Sequence, residues 1–431
     1  MELLLKGGRV VDPGGLLDAA LDVRVVDGRV AEVGPDLAPG SPEADCRRID
    51  GCVLVPGLVD LHVHLREPGR EDAETVRTGT RAAARGGFTA VAAMPNTRPA
   101  IDREAMVRFL TERAAGEGAV RVYPIGALTK ERAGEELAEM GDMARAGAVA
   151  FSDDGNTVMN AALMRRAMEY ARAHGRPVIV HAEDRTLVGE GVMNEGRLAT
   201  RLGLPGIPGA AEEVMVARDL ILAKLTGCRL HVAHVSTAGS LALIRQAKAE
   251  GVPVTCEVTP HHLFLTERAV EGYDTAARVS PPLRTAADCA ALQDGLCEGV
   301  IDAVATDHAP HTLEEKLVEF GQAPPGMVGL ETAVGLLVDR LVRPGRLTWG
   351  AFVERCARGP ARVLGLTPNR IAPGAVADLT VIDPQARWTV DPSRFASKGR
   401  NTPFAGHTLH GQATATVVAG RLVMWQGEVL V

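Results

Sequence analysis

Alternating hydrophobic and polar positions open the chain. Leu21 to Val33 reads LDVRVVDGRVAEV, two alternating runs joined at Asp27-Gly28. Asp-Gly between alternating strands is the strongest short hairpin signal, since both residues accept the positive φ of a tight turn. Residues 1–55 keep this β texture, and residues 366–431 show it again in ADLTVIDP and ATATVVAGRLVMWQGEVLV. Between them the period changes. Short apolar runs alternate with longer stretches rich in Ala, Arg and Glu. The runs are LVDLHVH (58–64), TAVAAM (89–94), RVYPIGAL (121–128), AVAF (148–151), PVIVHAE (177–183), RLHVAHV (229–235), PVTCEV (253–258) and DAVATDH (302–308). Helices are predicted between them, as in EDAETVRTGTRAAARGG and AALMRRAMEYARAHG, the second closed by Gly175 as its C-cap. Eight strands alternating with helices over roughly 250–300 residues predict an α/β fold, a (β/α)8 TIM-like barrel, here spanning 57–365. Each β-rich end is too short to stand alone. Pairing them buries both, which predicts a small discontinuous β-sandwich domain from 1–56 and 366–431. Long gaps after His181 and Val258 leave room for extended loops.

Composition narrows the function classes. The 431 residues are 46% hydrophobic and 23% charged, enough apolar surface for a large core. Aromatics are only 3%, so that core is built from Val, Leu, Ala and Ile. A net charge of −7 and the scarcity of aromatics exclude the basic, stacking surface of a nucleic-acid binder. Seven isolated cysteines without a CxxC pair read as reduced thiols of a cytoplasmic protein. The N-terminal MELLLKGGRVVDPGG lacks a basic leader and is interrupted by Pro13, which argues against a signal peptide or a membrane span.

In a barrel of this kind the chemistry sits at the C-terminal strand ends. Five of the eight runs end in metal-binding residue types: Asp60, His62 and His64; Ser152, Asp153 and Asp154; His181 and Glu183; His234; Asp307 and His308. His62 and His64 stand at i and i+2, on the same side of a strand, so both imidazoles can reach one ion. An isolated pair of this spacing is weak evidence. Convergence of further His and Asp strand ends on the same mouth makes a metal site the stronger reading. His231, three residues before His234, falls on the opposite strand face and reads as packing. His261 and His262 favour a structural role, and His174, His407 and His410 have no site context. Four histidines with two aspartates suffice for a two-metal centre bridged by a carboxylate. In FSDDGN that carboxylate is Asp154 or, as runner-up, Asp153; spacing alone does not separate them.

VPGLVDLHVHLREPG (55–69), AAMPNTRP (92–99), FSDDGN (151–156), VIVHAED (178–184), VAHVST (232–237), VTPHHL (258–263), SPPLR (280–284), ATDHAPH (305–311) and GLET (329–332) together resemble the longer, bacterial type of dihydroorotase in the amidohydrolase superfamily. The tail GAVADLTVIDP and SKGRNTPFAGHTLHGQ resembles it too, so the likeness covers essentially the whole chain. HLREPG with MPNT is its specific part. The resemblance implies metal ligands at His62, His64, Asp154, His181, His234 and Asp307. It places the chain in the subgroup where an aspartate replaces the carboxylated lysine that bridges the metals of many relatives. It implies zinc, one or two ions per subunit with two expected. It implies substrate contacts at His64, Arg66, Asn96, Ser280, His311, Pro325 and Gly326. Two departures fall in the substrate pocket and spare the metal ligands. Ser280 stands where the family usually has Asn, and Pro324-Pro325-Gly326 stands for its usual PFG.

The implied reaction is the reversible cyclisation of N-carbamoyl-L-aspartate to L-dihydroorotate, a step of de novo pyrimidine (UMP) biosynthesis, with Asp307 moving the proton. The implied assembly is a homodimer, and activity leaves room for a complex with aspartate transcarbamoylase. One rival is another cyclic-amide hydrolase, a hydantoinase or allantoinase, which usually carries the lysine-derived bridge. Another is a non-catalytic scaffold subunit of aspartate transcarbamoylase, which would be expected to lose metal ligands; this chain keeps all six.

Overall fold

The computed structural model describes residues 2–431. The eight apolar runs form eight parallel strands whose order around the sheet is their order in sequence. They are Leu58–Val63, Phe88–Ala93, Arg121–Gly126, Ala150–Ser152, Val178–Val180, Leu230–Val232, Val254–Val258 and Ala303–Val304. The eighth closes back on the first: Val63 bridges His308, and the His64 N–H donates to His308 O at 2.9 Å. At this seam the carboxylate of Asp60 replaces ladder bonds, accepting from the N–H and hydroxyl of Thr306, the latter at 2.6 Å. Burial pushes the Asp60 carboxyl up to about 7. The barrel interior is filled by small and branched side chains such as Val59, Leu61, Ala92, Ile125, Ile179, Ala233 and Ala305. Little aromatic volume is needed there.

The outer helices follow the predicted signals. Val76–Gly86 begins at Thr75, whose hydroxyl caps Thr78 in a reciprocal box, and it buries Val76, Thr80 and Ala83 on one face. Ala161–Ala173 starts on the Asn160 side chain and buries Leu163, Met164, Ala167, Met168 and Ala171. Its end is His174 followed by Gly175 at φ 65°, which makes His174 a helix-end residue. No helix among the described residues is long and apolar enough to cross a membrane.

The two β-rich ends pair with each other. Glu2–Asp12, Leu17–Val26, Arg29–Gly34, Asp45–Arg48 and Val53–Pro56 join Leu379–Thr389, Thr408–Val418, Arg421–Trp425 and Glu428–Val429. The hairpin at Asp27 (φ 47°) and Gly28 (φ 81°) forms as expected. The two walls of the expected sandwich are one continuous nine-stranded sheet. They are joined where Val53–Pro56 runs antiparallel to Leu379–Ile382. Residues from both ends, including Leu3, Leu5, Val23, Leu54, Leu379, Val381 and Val417, share one core against that sheet.

The gap after the fifth strand holds a two-stranded ribbon, Met193–Asn194 with Gly206–Ile207. It is pinned by Arg284, the largest fully buried side chain. Its guanidinium donates to Ser236 Oγ at 3.1 Å, Asn194 Oδ1 at 3.0 Å and Ile207 O at 2.8 Å. Arg284→Met leaves these acceptors unpaired, and roughly 3 kcal/mol of stability is expected to be lost. The urea midpoint reads this; an unchanged midpoint would show that the ribbon does not depend on it.

Candidate metal centre and pocket

Asp154 stands among four histidines. Its Oδ2 lies 3.4 Å from His62 Nε2 and 3.6 Å from His64 Nε2. Its Oδ1 lies 3.5 Å from His234 Nε2 and 3.8 Å from His181 Nδ1. His62, His64 and Asp154 form one group able to hold an ion, and Asp154, His181 and His234 form a second, all buried. Asp307 joins the first group, with Oδ1 2.9 Å from His64 Nε2 and 3.5 Å from His62 Nε2. His62 Nε2 and Asp154 Oδ1 are buried without a hydrogen-bond partner. Buried polar atoms are almost always paired, so this convergent, unpaired donor set fits a bound cation.

The charges agree. Burial works against a charged His62, but the carboxylates of Asp154, Asp307 and Glu257 outweigh it and hold its pKa well above the ordinary value. Burial likewise opposes ionisation of Asp154, and His62, His234 and His64 overcome it, keeping the carboxyl well below the usual range. Burial lowers the pKa of His64, which leaves a neutral ring with a lone pair to offer.

Asp153 points elsewhere. Its Oδ1 accepts from the N–H groups of Leu128 (2.9 Å) and Thr129 (3.0 Å), and its Oδ2 takes the Thr129 hydroxyl. Both of its oxygens are engaged by the loop after the third strand.

Above the histidines lies a cleft of about 320 Å³, lined by His64, Arg66, Asn96, Asp154, His181, His234, Ser280, Asp307, His311, Pro325 and Gly326. Every residue expected to touch metal or substrate is in it except His62, which lies beneath. Asn96 Oδ1 accepts from His64 Nδ1 at 2.8 Å, which turns His64 Nε2 toward the two aspartates. Arg66, at φ 60°, is held by Nε donating to Pro310 O at 3.1 Å. Burial lowers its pKa to about 10, so it stays charged at neutral pH. His311 donates from Nε2 to Pro325 O at 2.9 Å, and its Nδ1 meets Glu315 at 3.3 Å. Reaching a ligand therefore requires this imidazole to give up one bond. The Ser280 hydroxyl is turned onto Glu183. Gly326 has φ 135°, and a Cβ there would come within 2.8 Å of Ala309 Cβ and 2.9 Å of His311 Nε2, so only glycine fits.

The structure adds residues that strand-end reasoning missed. Arg70, Arg98 and Arg132 also line the cleft. Glu257, in the seventh strand, faces His62, His231 and His234; His231 is thus a hydrogen-bonded member of the centre's support and more than packing. Burial opposes its ionisation, but His62 and His231 hold its carboxyl at about 2. His262 is held on its short helix, with Nδ1 2.8 Å from the hydroxyl of the N-cap Thr259 and Nε2 3.0 Å from Pro281 O, the structural role favoured for it. A larger groove, about 850 Å³, runs along the seam between barrel and sheet past Arg85, Trp388 and Phe395 and brings together no such donor set.

Comparison with known proteins gives the following. A family model described as dihydro-orotase-like matches residues 51–240. A protein named dihydroorotase from Pelotomaculum thermopropionicum is 59% identical over 98% of this chain and 99% of its own length. Another of that name, from Anaeromyxobacter dehalogenans, is 55% identical over 99% of this chain and 98% of its own. Among solved structures, an L-hydantoinase from Arthrobacter aurescens matches with a TM-score of 0.89 at 28% identity, covering 100% of this chain and 97% of that one. A D-hydantoinase from a Thermus species matches with a TM-score of 0.85 at 26% identity, covering 99% and 96%.

Proposed function

As the chain belongs to the dihydroorotase family, we propose that it catalyses the reversible cyclisation of N-carbamoyl-L-aspartate to L-dihydroorotate, with loss of water, in pyrimidine synthesis. The observation that carries this reading over a hydantoinase is Arg66, charged and set in the same cleft as the four histidines. A planar guanidinium fork matches a carboxylate, which dihydroorotate has and a simple hydantoin lacks.

We assign His62, His64, Asp154, His181, His234 and Asp307 to the metal centre, with Asp154 between its two halves, and zinc as the ion its nitrogen and carboxylate donors suit. When bound, such ions lower the pKa of water and polarise the scissile carbonyl. Asp307 takes the proton of the attacking water and passes it to the departing ring nitrogen. In the synthetic direction Asp307 starts protonated and the transfers reverse. Arg66 and Asn96 hold the carboxylate that does not react; the Asn96 amide is free to do so because only its oxygen is engaged by His64. His311, whose Nε2 lies 3.4 Å from Arg66 Nη2, joins them on that carboxylate once it releases Pro325 O. Ser280, Pro325 and Gly326 shape the wall. Four cleft arginines give local attraction for an anion on a chain whose net charge is −7.

Ultraviolet monitoring of dihydroorotate hydrolysis, with hydantoin and allantoin as controls and a chelated sample alongside, tests the reading. Turnover of dihydroorotate that falls on chelation is expected. No dihydroorotate turnover by metal-loaded protein would overturn it. Arg66→Lys keeps a charge but loses the fork. The expected result is a KM raised about 10–100-fold, from roughly 1.5–3 kcal/mol of charged hydrogen bonding, with a smaller change in kcat. An unchanged KM would remove Arg66 from the substrate site.

A further inference from the structure

Glu257 is fully buried. Its Oε1 accepts from His62 Nδ1 at 2.7 Å and from the backbone N–H of His234 at 3.3 Å. Its Oε2 accepts from His231 Nε2 at 3.2 Å, and His231 Nδ1 meets Thr255 Oγ1 at 2.8 Å. The two histidines it holds belong to different groups. His62 stands with His64 and Asp154, His234 with His181 and Asp154. His234 also has φ 32°, a left-handed backbone that a residue with a Cβ keeps only when its surroundings enforce it. Glu183, by contrast, contacts one histidine of the centre: its Oε2 lies 2.9 Å from His181 Nε2.

We propose that Glu257 is a positioning residue that couples the two halves of the metal centre, fixing the ring of His62 and the backbone that aims His234. The inference rests on the metal-centre reading above and goes beyond its ligand set. An acceptor on Nδ1 keeps a proton there, so Nε2, which faces Asp154, is the nitrogen that would offer its lone pair to a bound cation. Partners of this kind orient a ligand and raise its basicity, and losing one costs about 10–100-fold in metal affinity. Glu257 does this to the ring of His62 and also holds the backbone of His234, whereas Glu183 meets the ring of His181 alone.

The test uses metal-free full-length protein in four forms: parent, Glu257→Ala, Glu257→Gln and Glu183→Gln. Each is titrated with cobalt(II) against a competing chelator while the visible absorption is followed, and each apo form is melted to check its fold. The parent is expected to take up two ions. Glu257→Ala is expected to weaken both by about 10–100-fold. Glu257→Gln keeps an oxygen for His62 and should recover part of that loss, while Glu183→Gln weakens one ion only. Parent-like binding of both ions by Glu257→Ala overturns the proposal, and weakening of a single ion overturns the coupling. If the alanine variant does not fold, parent affinity for both ions in Glu257→Gln overturns it. A parent that binds no ion at all sinks the metal-centre reading itself.

Discussion

Asp154→Asn is expected to strip the centre of metal and lower kcat by at least about 10³-fold, the several kcal/mol that a metal contributes to the transition state. The substitution keeps size and shape. It removes the one anion that both pairs of histidines face, at 3.4–3.8 Å. Metal content by elemental analysis should fall with turnover. Asp153→Asn is the contrast. Its carboxylate serves the Leu128 and Thr129 N–H groups, so that variant should lose about 1–3 kcal/mol of stability and keep its metal. If the two variants exchanged phenotypes, the assignment of Asp154 would be wrong.

Asp307→Asn is expected to lower kcat about 10²–10⁴-fold, the usual contribution of a positioned acid–base group. Asp307 touches His64 and His62, but the remaining donors still form both histidine groups. Metal uptake should therefore survive, and the loss should appear in kcat with little change in KM. A metal-loaded variant with full turnover would take the proton transfer away from Asp307.

Much of this was legible in the residue pattern because barrel strands end where chemistry begins. A histidine or aspartate closing an apolar run is conspicuous, and His62, His64, His181, His234 and Asp307 all announce themselves that way. Asp153 and Asp154 do not separate by spacing, since the decision is made by Thr129, a residue 24–25 positions away that claims only one of them. Glu257 was hidden for another reason. Glu257 stands inside PVTCEV, a run read as an apolar barrel strand, and not among the residues that close such a run and were searched for chemistry. The usable signal was the barrel itself: a glutamate within such a strand must have buried partners. The pairing of the two chain ends was legible, but the turn of Ser280 onto Glu183 and the joining of the two expected walls through Val53–Pro56 and Leu379–Ile382 depend on contacts between segments far apart in sequence, which no local pattern carries.

That sheet also sets a schedule. The Leu58 N–H donates to Thr380 Oγ1 across 322 residues, beside the strand pairing that joins the two ends. At about 5–20 residues per second, the early strands emerge on the order of 15–60 s before their partners are made. Until then Val53–Pro56, a run of buried apolar residues, presents an unpaired edge, the kind of surface on which other chains add. The barrel segments emerge during that wait, and Leu379–Ile382 can cover Val53–Pro56 only after them. For this chain the vulnerable interval lies in translation itself, and a chaperone that shields the nascent N-terminal strands should raise its soluble yield more than one supplied after release.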